Sequence, residues 1–254
     1  MHRIGLIVPS SNTTMETEIP EMLGRHAARH GTRFTFHASR ARLHTVDVGS
    51  LARMVDDGER CAAEVGDAAV DVVAYACLVA LMSRGPGAHV GIEKRFGEVI
   101  AATGAPDTPI VSSAGALVRT LTALNLRKVA VIAPYMRGLT RMVIDYIEHS
   151  GIEVQDSLSL SVCDNLTVGR LDPMALPGYV SRLDLSSADG IVLSACVQMP
   201  SLPAVQRVQD ATGLPVITAA TATTREILLA LGLPAEIPEA GAALGSNAVS
   251  RAAA

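Results

Sequence analysis

The sequence has few aromatic and few charged residues. Aromatic residues make up 3% of the 254 residues, Trp is absent, and charged residues make up 18%, whereas apolar residues make up 49%. A core must therefore be filled mainly by Ala, Val, Leu and Ile side chains. The net charge of −4 gives no global positive field, so we expect neither nucleic acid nor a membrane as a partner. An anionic ligand would need a local pocket of donors.

Several segments that would indicate a membrane, a metal or a nucleotide are missing. No stretch reaches the roughly 18 charge-free apolar residues of a membrane span. Residues 1–9 contain one arginine and a short apolar run, which suits a first β-strand better than a signal peptide. We therefore expect a cytoplasmic protein whose four cysteines are reduced. Without a Cys-x-x-Cys motif, a His-rich cluster or a glycine-rich phosphate loop, we expect no metal and no other cofactor.

Two short apolar runs end in Ala-Cys, and they are the most informative feature of the sequence. They are residues 71–77 (DVVAYAC) and 189–196 (DGIVLSAC), and each is typical of a buried parallel strand. Open α/β sheets bind ligands at the carboxyl ends of their strands. A lone cysteine is usually a small buried apolar residue, as we expect for Cys61 and Cys163. Cys77 and Cys196 occupy equivalent strand ends, so we expect their thiols to face each other across one cleft.

The remaining apolar patterns predict that strands and helices alternate twice along the chain. Pro9 precedes Cys77 by 68 positions, and Pro134 precedes Cys196 by 62, which suggests a duplication. The alternation predicts an α/β fold of two pseudo-symmetric lobes, each a parallel sheet flanked by helices. The predicted lobes are residues 1–124 and 125–254, and the chain crosses between them near its C-terminus. Predicted strands are 3–8, 33–38, 71–77, 109–112, 128–135, 154–160, 189–196 and 215–218; predicted helices are 13–30, 50–68, 91–103, 115–124, 139–150, 173–184, 201–212 and 222–231.

Two helix starts carry capping residues. Thr13 and Glu16 are spaced as a capping box for the first helix, and Ser201 is placed to cap the helix that follows the second Ala-Cys run.

Polar residues follow strands in both halves of the chain. Asn12 follows the first strand and Asn165 lies in the predicted loop after strand 154–160. Asn is a common turn residue, and the alternative interpretation is that both side-chain amides hold a carboxylate between the lobes. Tyr135 follows Pro134 at the end of a predicted strand. Its phenol could point into the same cleft or lie at the surface.

Three segments resemble the maleate cis-trans isomerases of the aspartate/glutamate racemase superfamily. They are residues 9–16 (PSSNTTME), 75–80 (YACLVA) and 194–200 (SACVQMP), and the resemblance extends over essentially the whole chain, including Tyr135 and Asn165. In the superfamily's racemases, Asn-Thr typically follows the first cysteine, and a small residue with Thr follows the second. In this sequence, Leu78-Val79 follow the first cysteine and Val197-Gln198 follow the second, which argues against racemisation. Arylmalonate decarboxylases keep only the second cysteine, so Cys77 argues against that activity.

The resemblance implies cofactor-independent isomerisation of maleate to fumarate in a cleft between the lobes of a homodimeric enzyme. By that resemblance, Cys77 is the nucleophile that forms a succinyl-cysteine intermediate, and Cys196 is its acid/base partner. Asn12, Tyr135 and Asn165 would hold the substrate carboxylates.

Backbone N–H groups after each cysteine are expected to stabilise the thiolate and to bind the carboxylates. These groups belong to Leu78, Val79, Val197 and Gln198. Two alternatives stay open on the sequence: a racemase or decarboxylase of the same superfamily, and a binding protein that senses a small acid without turnover.

Overall fold

Two parallel sheets of four strands each form the centre of the fold. The computed structural model describes residues 1–245. The strand orders are β2-β1-β3-β4 and β6-β5-β7-β8, so the two sheets have the same order, and every pairing between neighbouring strands is parallel. The predicted α/β fold class with two parallel sheets is therefore confirmed. The strands are β1 (His2–Pro9), β2 (Phe34–Ala41), β3 (Val72–Tyr75), β4 (Ile110–Ser112), β5 (Lys128–Ala133), β6 (Glu153–Ser159), β7 (Gly190–Ser194) and β8 (Val216–Thr218).

Helices connect the strands in both halves of the chain. Parallel neighbours need such crossover connections, because each strand must start again at the same edge of the sheet. The helices are α1 (Met15–His30), α2 (Val48–Asp67), α3 (Leu78–Met82), α4 (Ala88–Ala102), α5 (Ser113–Ala123), α6 (Arg137–His149), α7 (Asn165–Val168), α8 (Leu176–Val180), α9 (Leu202–Thr212) and α10 (Ala219–Ala230), with 3-10 turns at Pro173–Ala175 and Ala242–Leu244. Among residues 1–245, no helix has both the length and the apolarity that crossing a bilayer requires.

The inner strands are the most buried part of the molecule. Every residue of β3 and β7 is buried, because helices cover both faces of a parallel sheet. Strand β6 lies at the edge of its sheet and is only partly buried. The stripe predicted for α2 (Leu51, Met54, Val55, Cys61 and Val65) is buried as expected.

The last helix leaves the second sheet and returns to the first half of the chain. Helix α10 follows β8 directly, yet it packs against α1 and α5. Its amino end carries a capping box in which Thr218 and Thr221 exchange hydrogen bonds between side chain and backbone. The division of the chain into lobes at residues 124 and 125 stays a prediction.

The start of α1 differs from its prediction. The helix begins at Met15, and the expected capping box of Thr13 and Glu16 does not form. The Oδ1 atom of Asn12 accepts a hydrogen bond from the Met15 N–H at 3.0 Å instead. The Asn12 amide oxygen therefore satisfies the first N–H of α1, while Thr14 occupies the N-cap position without a side-chain hydrogen bond to the helix.

Two local predictions near the strand ends are also corrected, and the structure adds one helix. Asn165 does not lie in a loop but is the first residue of α7. The Asp164 side chain caps this helix by accepting a hydrogen bond from the Thr167 N–H at 2.7 Å. The helix predicted over 173–184 is a 3-10 turn followed by the five residues of α8, since Pro177 has no N–H and Gly178 disfavours helix. Helix α3 was not predicted, because a short apolar run fits strand and helix equally well.

Candidate active site

Cys77 lies at the N-terminal boundary of α3, two residues beyond the end of β3 at Tyr75. Its side chain is buried, and its sulfur accepts a hydrogen bond from the backbone N–H of Ala80. Burial raises the pKa of this thiol to about 12, the Ala80 N–H opposes the rise, and the negative charge of a neighbouring Cys196 thiolate adds to it. In the ligand-free protein, Cys77 is therefore a protonated thiol at neutral pH.

Cys196 lies in the segment between β7 and α9 and has more donors than Cys77. Its sulfur accepts the backbone N–H of Gln198 at 3.3 Å, and the Met199 backbone and the Tyr135 phenol also favour its thiolate. Burial raises the pKa of this thiol, whereas these three donors lower it. A thiolate at Cys196 is consequently better stabilised by hydrogen bonds than one at Cys77.

Tyr135 joins the two thiols in one buried cluster. Its side chain is buried just after β5, and burial together with the charges of Cys196 and Cys77 raises the pKa of its phenol well above 10. The phenol therefore stays a neutral donor across the pH range in which enzymes work. Tyr135 is buried rather than at the surface, and its role in binding a substrate carboxylate stays a prediction.

Asn12 and Asn165 are buried, and each amide donates one hydrogen bond to the protein. The Nδ2 of Asn12 donates to the Val197 carbonyl at 3.2 Å, and the Nδ2 of Asn165 donates to the Ser11 hydroxyl at 2.7 Å. An amide nitrogen carries two N–H donors, so each asparagine retains one for a ligand. Both residues thus connect segments that are more than 150 positions apart in the sequence.

The side chain of Gln198 holds the two halves of the chain together. Its Nε2 donates to the carbonyls of Ser11 and Asn165, each at 3.0 Å, while its Oε1 accepts the Thr13 N–H at 3.1 Å. The Gln198 carbonyl accepts the Thr14 hydroxyl at 2.7 Å. Because the protein uses both ends of the amide, the backbone N–H is the part of Gln198 that faces the chemistry.

Leu78, Val79 and Val197 supply backbone groups around the thiols. Leu78 and Val79 form the first turn of α3, where N–H groups have no acceptor within the helix. Val197 follows Cys196 directly, and its carbonyl is held by Asn12. All three side chains are buried, so these residues offer a ligand their backbone and an apolar wall.

Several residues of the site were not singled out from the sequence. Ser11 links Leu43 to Asn165, since its hydroxyl donates to the Leu43 carbonyl at 2.7 Å and accepts from the Asn165 amide. The buried carboxyl group of Glu18 accepts the backbone N–H groups of Ser201 and Leu202 at 2.6 and 2.8 Å. The prediction that Ser201 caps α9 is therefore wrong. Its side chain makes no capping hydrogen bond, and the Glu18 carboxyl group caps the helix instead.

A signal for Glu18 was present in the sequence. Glu18 lies on the same face of α1 as the buried Met15, Ile19, Met22 and Leu23, and an acidic residue within an apolar stripe indicates a buried partner.

The residues described, 1–245, contain no group of three or more His, Cys, Asp or Glu side chains placed to hold a metal ion. Whether the activity is independent of cofactors stays a prediction.

Comparison with known proteins identifies the family. The family model described as arylmalonate decarboxylase matches residues 4–244. A maleate isomerase of Geobacillus stearothermophilus is 55% identical over 246 residues, which cover 96% of this chain and 98% of the relative.

Two solved structures share both the sequence and the fold. A Cys-to-Ala variant of the maleate isomerase Iso from Pseudomonas putida, crystallised with maleate, has a TM-score of 0.94 and 50% identity, and the match covers 96% of this chain and 97% of that one. A Cys-to-Ser mutant of the Nocardia farcinica maleate cis-trans isomerase, with a covalently bound succinylcysteine intermediate, has a TM-score of 0.91 and 46% identity, and the match covers 96% and 98%. On this agreement over nearly its whole length, the chain belongs to the maleate isomerases.

Proposed function

We propose that this chain isomerises maleate to fumarate by reversible addition of the Cys77 thiolate to the substrate double bond. The observation that carries the proposal is the buried pair of thiols at equivalent strand ends, Cys77 and Cys196, with unequal sets of donors. The covalent succinylcysteine in the Nocardia relative supports an addition of this kind.

The first step forms one carbon–sulfur bond and one carbon–hydrogen bond. The Cys77 thiol first gives its proton to a Cys196 thiolate. The Cys77 thiolate so formed attacks one alkene carbon, and the electron pair of the double bond moves to the adjacent carbon. Cys196 delivers its thiol proton to that carbon as a general acid. The products are succinyl-Cys77 and a Cys196 thiolate, so atoms and charge balance.

The second step restores the double bond in the trans geometry. Rotation about a carbon–carbon double bond is prohibitive, but the central bond of the succinyl adduct is single and turns freely. The Cys196 thiolate then removes a proton, the carbon–sulfur bond breaks, and Cys77 leaves as a thiolate. Fumarate is released, Cys196 returns its proton to the Cys77 thiolate, and both cysteines are back in their starting protonation states.

The unequal donor sets fit this division of labour. Cys196 must carry a negative charge for as long as the adduct exists, and the Tyr135 phenol with two backbone N–H groups faces its sulfur. Cys77 must be a poorly stabilised and therefore reactive thiolate, and a single backbone N–H faces its sulfur. Donors that are in place before the charge develops stabilise it without reorganisation.

The substrate carboxylates would be bound by neutral donors. The second N–H of the Asn12 amide and of the Asn165 amide and the backbone N–H groups of Leu78, Val79 and Val197 supply them. The single donors of the Tyr135 phenol and the Gln198 backbone serve the Cys196 sulfur instead. The site residues named here include no lysine or arginine, so hydrogen bonds must compensate the substrate's two charges.

The chain is expected to act in a reducing compartment. The four cysteines, all within the described residues, are unpaired, which supports the proposed cytoplasmic location. We also propose the homodimer that the family resemblance implies, which sedimentation analysis would test.

Incubation with maleate tests the function directly. Proton NMR should show fumarate forming from maleate, while L-aspartate should give no D-aspartate and an arylmalonate should give no decarboxylated product. Aspartate racemisation without maleate turnover would favour the racemase alternative.

Thiol alkylation tests the binding-protein alternative. Maleate should protect Cys77 and Cys196 from iodoacetamide, but not Cys163, which is exposed and not buried as the sequence predicts. No turnover and no protection would leave the proposal without support.

A further inference from the structure

A cavity of about 630 Å³ lies beyond the carboxyl end of β2 and is rich in arginine. Its wall includes Arg42, His44, Thr45, Arg53 and Arg60, and one acidic residue, Asp57. The chain as a whole carries a net charge of −4, so this cluster is a local exception. A concave wall with an excess of charge of one sign focuses the electric field and raises the local concentration of the opposite ion.

Two of the three guanidinium groups have no acidic partner. Arg60 is neutralised by ion pairs to Asp57 at 2.9 Å and Glu64 at 2.6 Å. Within residues 1–245, Arg42 and Arg53 form no ion pair, and the only side-chain hydrogen bond of Arg53 is to the Ser50 hydroxyl at 2.9 Å. Both side chains are exposed, so two positive charges in the cavity are free to meet an anion.

The wall of the cavity is bonded directly to the candidate active site. The Leu43 carbonyl accepts the Ser11 hydroxyl at 2.7 Å, and that hydroxyl accepts the Asn165 amide at 2.7 Å. Thr45 forms an antiparallel bridge with Asp164, which directly precedes Asn165. The cavity therefore lies outside the layer of polar contacts that covers the buried cysteines.

We propose that this cavity is a capture site for small dicarboxylate dianions, distinct from the thiol site, from which substrate enters the cleft. The proposal rests on the proposed function, because it assigns the anion as the substrate. Arg42 and Arg53 bind the incoming carboxylates, and the Leu43–Thr45 wall must move for the anion to reach Asn165. The thiol site itself offers only neutral donors. The arginines therefore attract the dianion, and the reaction takes place at the thiol site.

The double variant Arg42→Gln/Arg53→Gln tests the capture site. The control Arg33→Gln/Arg182→Gln removes the same charge from two exposed arginines that have no ion pair among the described residues and that do not line the cavity. Steering fields raise association rates by about 10- to 1,000-fold, so we expect kcat/KM for maleate to fall at least about threefold in low salt, with kcat unchanged. The difference should disappear near 1 M salt, where the screening length is about 3 Å.

Thiol alkylation tests the same site without turnover. Iodoacetate is an anion and iodoacetamide is neutral, so the ratio of their rates at Cys77 and Cys196, measured by peptide mapping, reports attraction of an anion. The ratio should fall at least about threefold in Arg42→Gln/Arg53→Gln and stay at the wild-type value in the control. If wild type fails to turn over maleate, the proposed function is wrong and the alkylation ratio still decides the capture site. A double variant that matches its control in both measurements would overturn the proposal.

Discussion

Replacing Glu18 by alanine removes the acceptor that holds the start of α9. The carboxyl group of Glu18 in α1 accepts the N–H groups of Ser201 and Leu202 at 2.6 and 2.8 Å. A buried donor that loses its partner costs about 1–3 kcal/mol, so two donors should cost about 2–6 kcal/mol of unfolding free energy. That is a large part of the 5–15 kcal/mol that is typical of folded proteins.

The isosteric variant Glu18→Gln separates the hydrogen bonds from the charge. Both backbone N–H groups reach the same oxygen, Oε1, and glutamine keeps one acceptor oxygen, so it can preserve both bonds. Burial is the main cause that raises the pKa of Glu18 above its usual 4.5. The folded state therefore binds the proton more tightly than the unfolded state, and the stabilisation from protonation is lost as pH rises through the folded-state pKa.

Glu18→Gln has no proton to lose, so we expect its stability relative to wild type to increase as pH rises above about 4.5. Urea unfolding of wild type, Glu18→Ala and Glu18→Gln between pH 4 and 8 measures both effects. The control is Glu21→Gln, which removes an exposed ion pair to Arg25 worth about 0.3–0.5 kcal/mol.

Two results would refute this reasoning. The first is an alanine variant that loses no more stability than the Glu21 control. The second is a difference between Glu18→Gln and wild type that does not change with pH.

The remaining predictions concern the thiols and their donors. Cys77→Ser should lower kcat at least about a thousandfold, because the covalent step is lost; near-wild-type turnover would remove Cys77 from the mechanism. Cys196→Ser should accumulate a succinyl-sized mass on Cys77 after acid quench with maleate, and mass on any other residue would contradict the assigned roles. Tyr135→Phe should lower kcat by about 5- to 100-fold with little change in KM, since one donor to the Cys196 thiolate, worth about 1–3 kcal/mol, is lost; an effect on KM alone would make Tyr135 a binding residue only. Without ligand, the rate at which iodoacetamide alkylates Cys77 should rise roughly tenfold per pH unit between pH 7 and 10. Only the thiolate reacts, and burial raises the thiol pKa to about 12. A rate that levels off near pH 8 would contradict that shift.

The sequence by itself determined the elements that depend on local pattern. Short β-branched runs predict buried strands wherever they occur, and the repeated Ala-Cys ending places a thiol at the carboxyl end of a central strand in each half. The spacing of Leu51, Met54 and Val55 likewise predicts the buried face of α2. These features follow from the periods of helix and strand, which need no knowledge of the partner surface.

Only the tertiary structure decided which polar groups meet. Glu18 caps a helix that starts 184 positions later, and the amide of Gln198 is occupied by Ser11, Thr13 and Asn165. The sequence shows that such side chains can donate and accept, but a hydrogen bond needs its partner at about 3 Å. Partners so distant in the chain are brought to that distance by the packing of the two sheets against their helices. The same packing surrounds the Cys196 thiol with three donors and leaves Cys77 with one, and this asymmetry gives the two equivalent strand ends different chemistry.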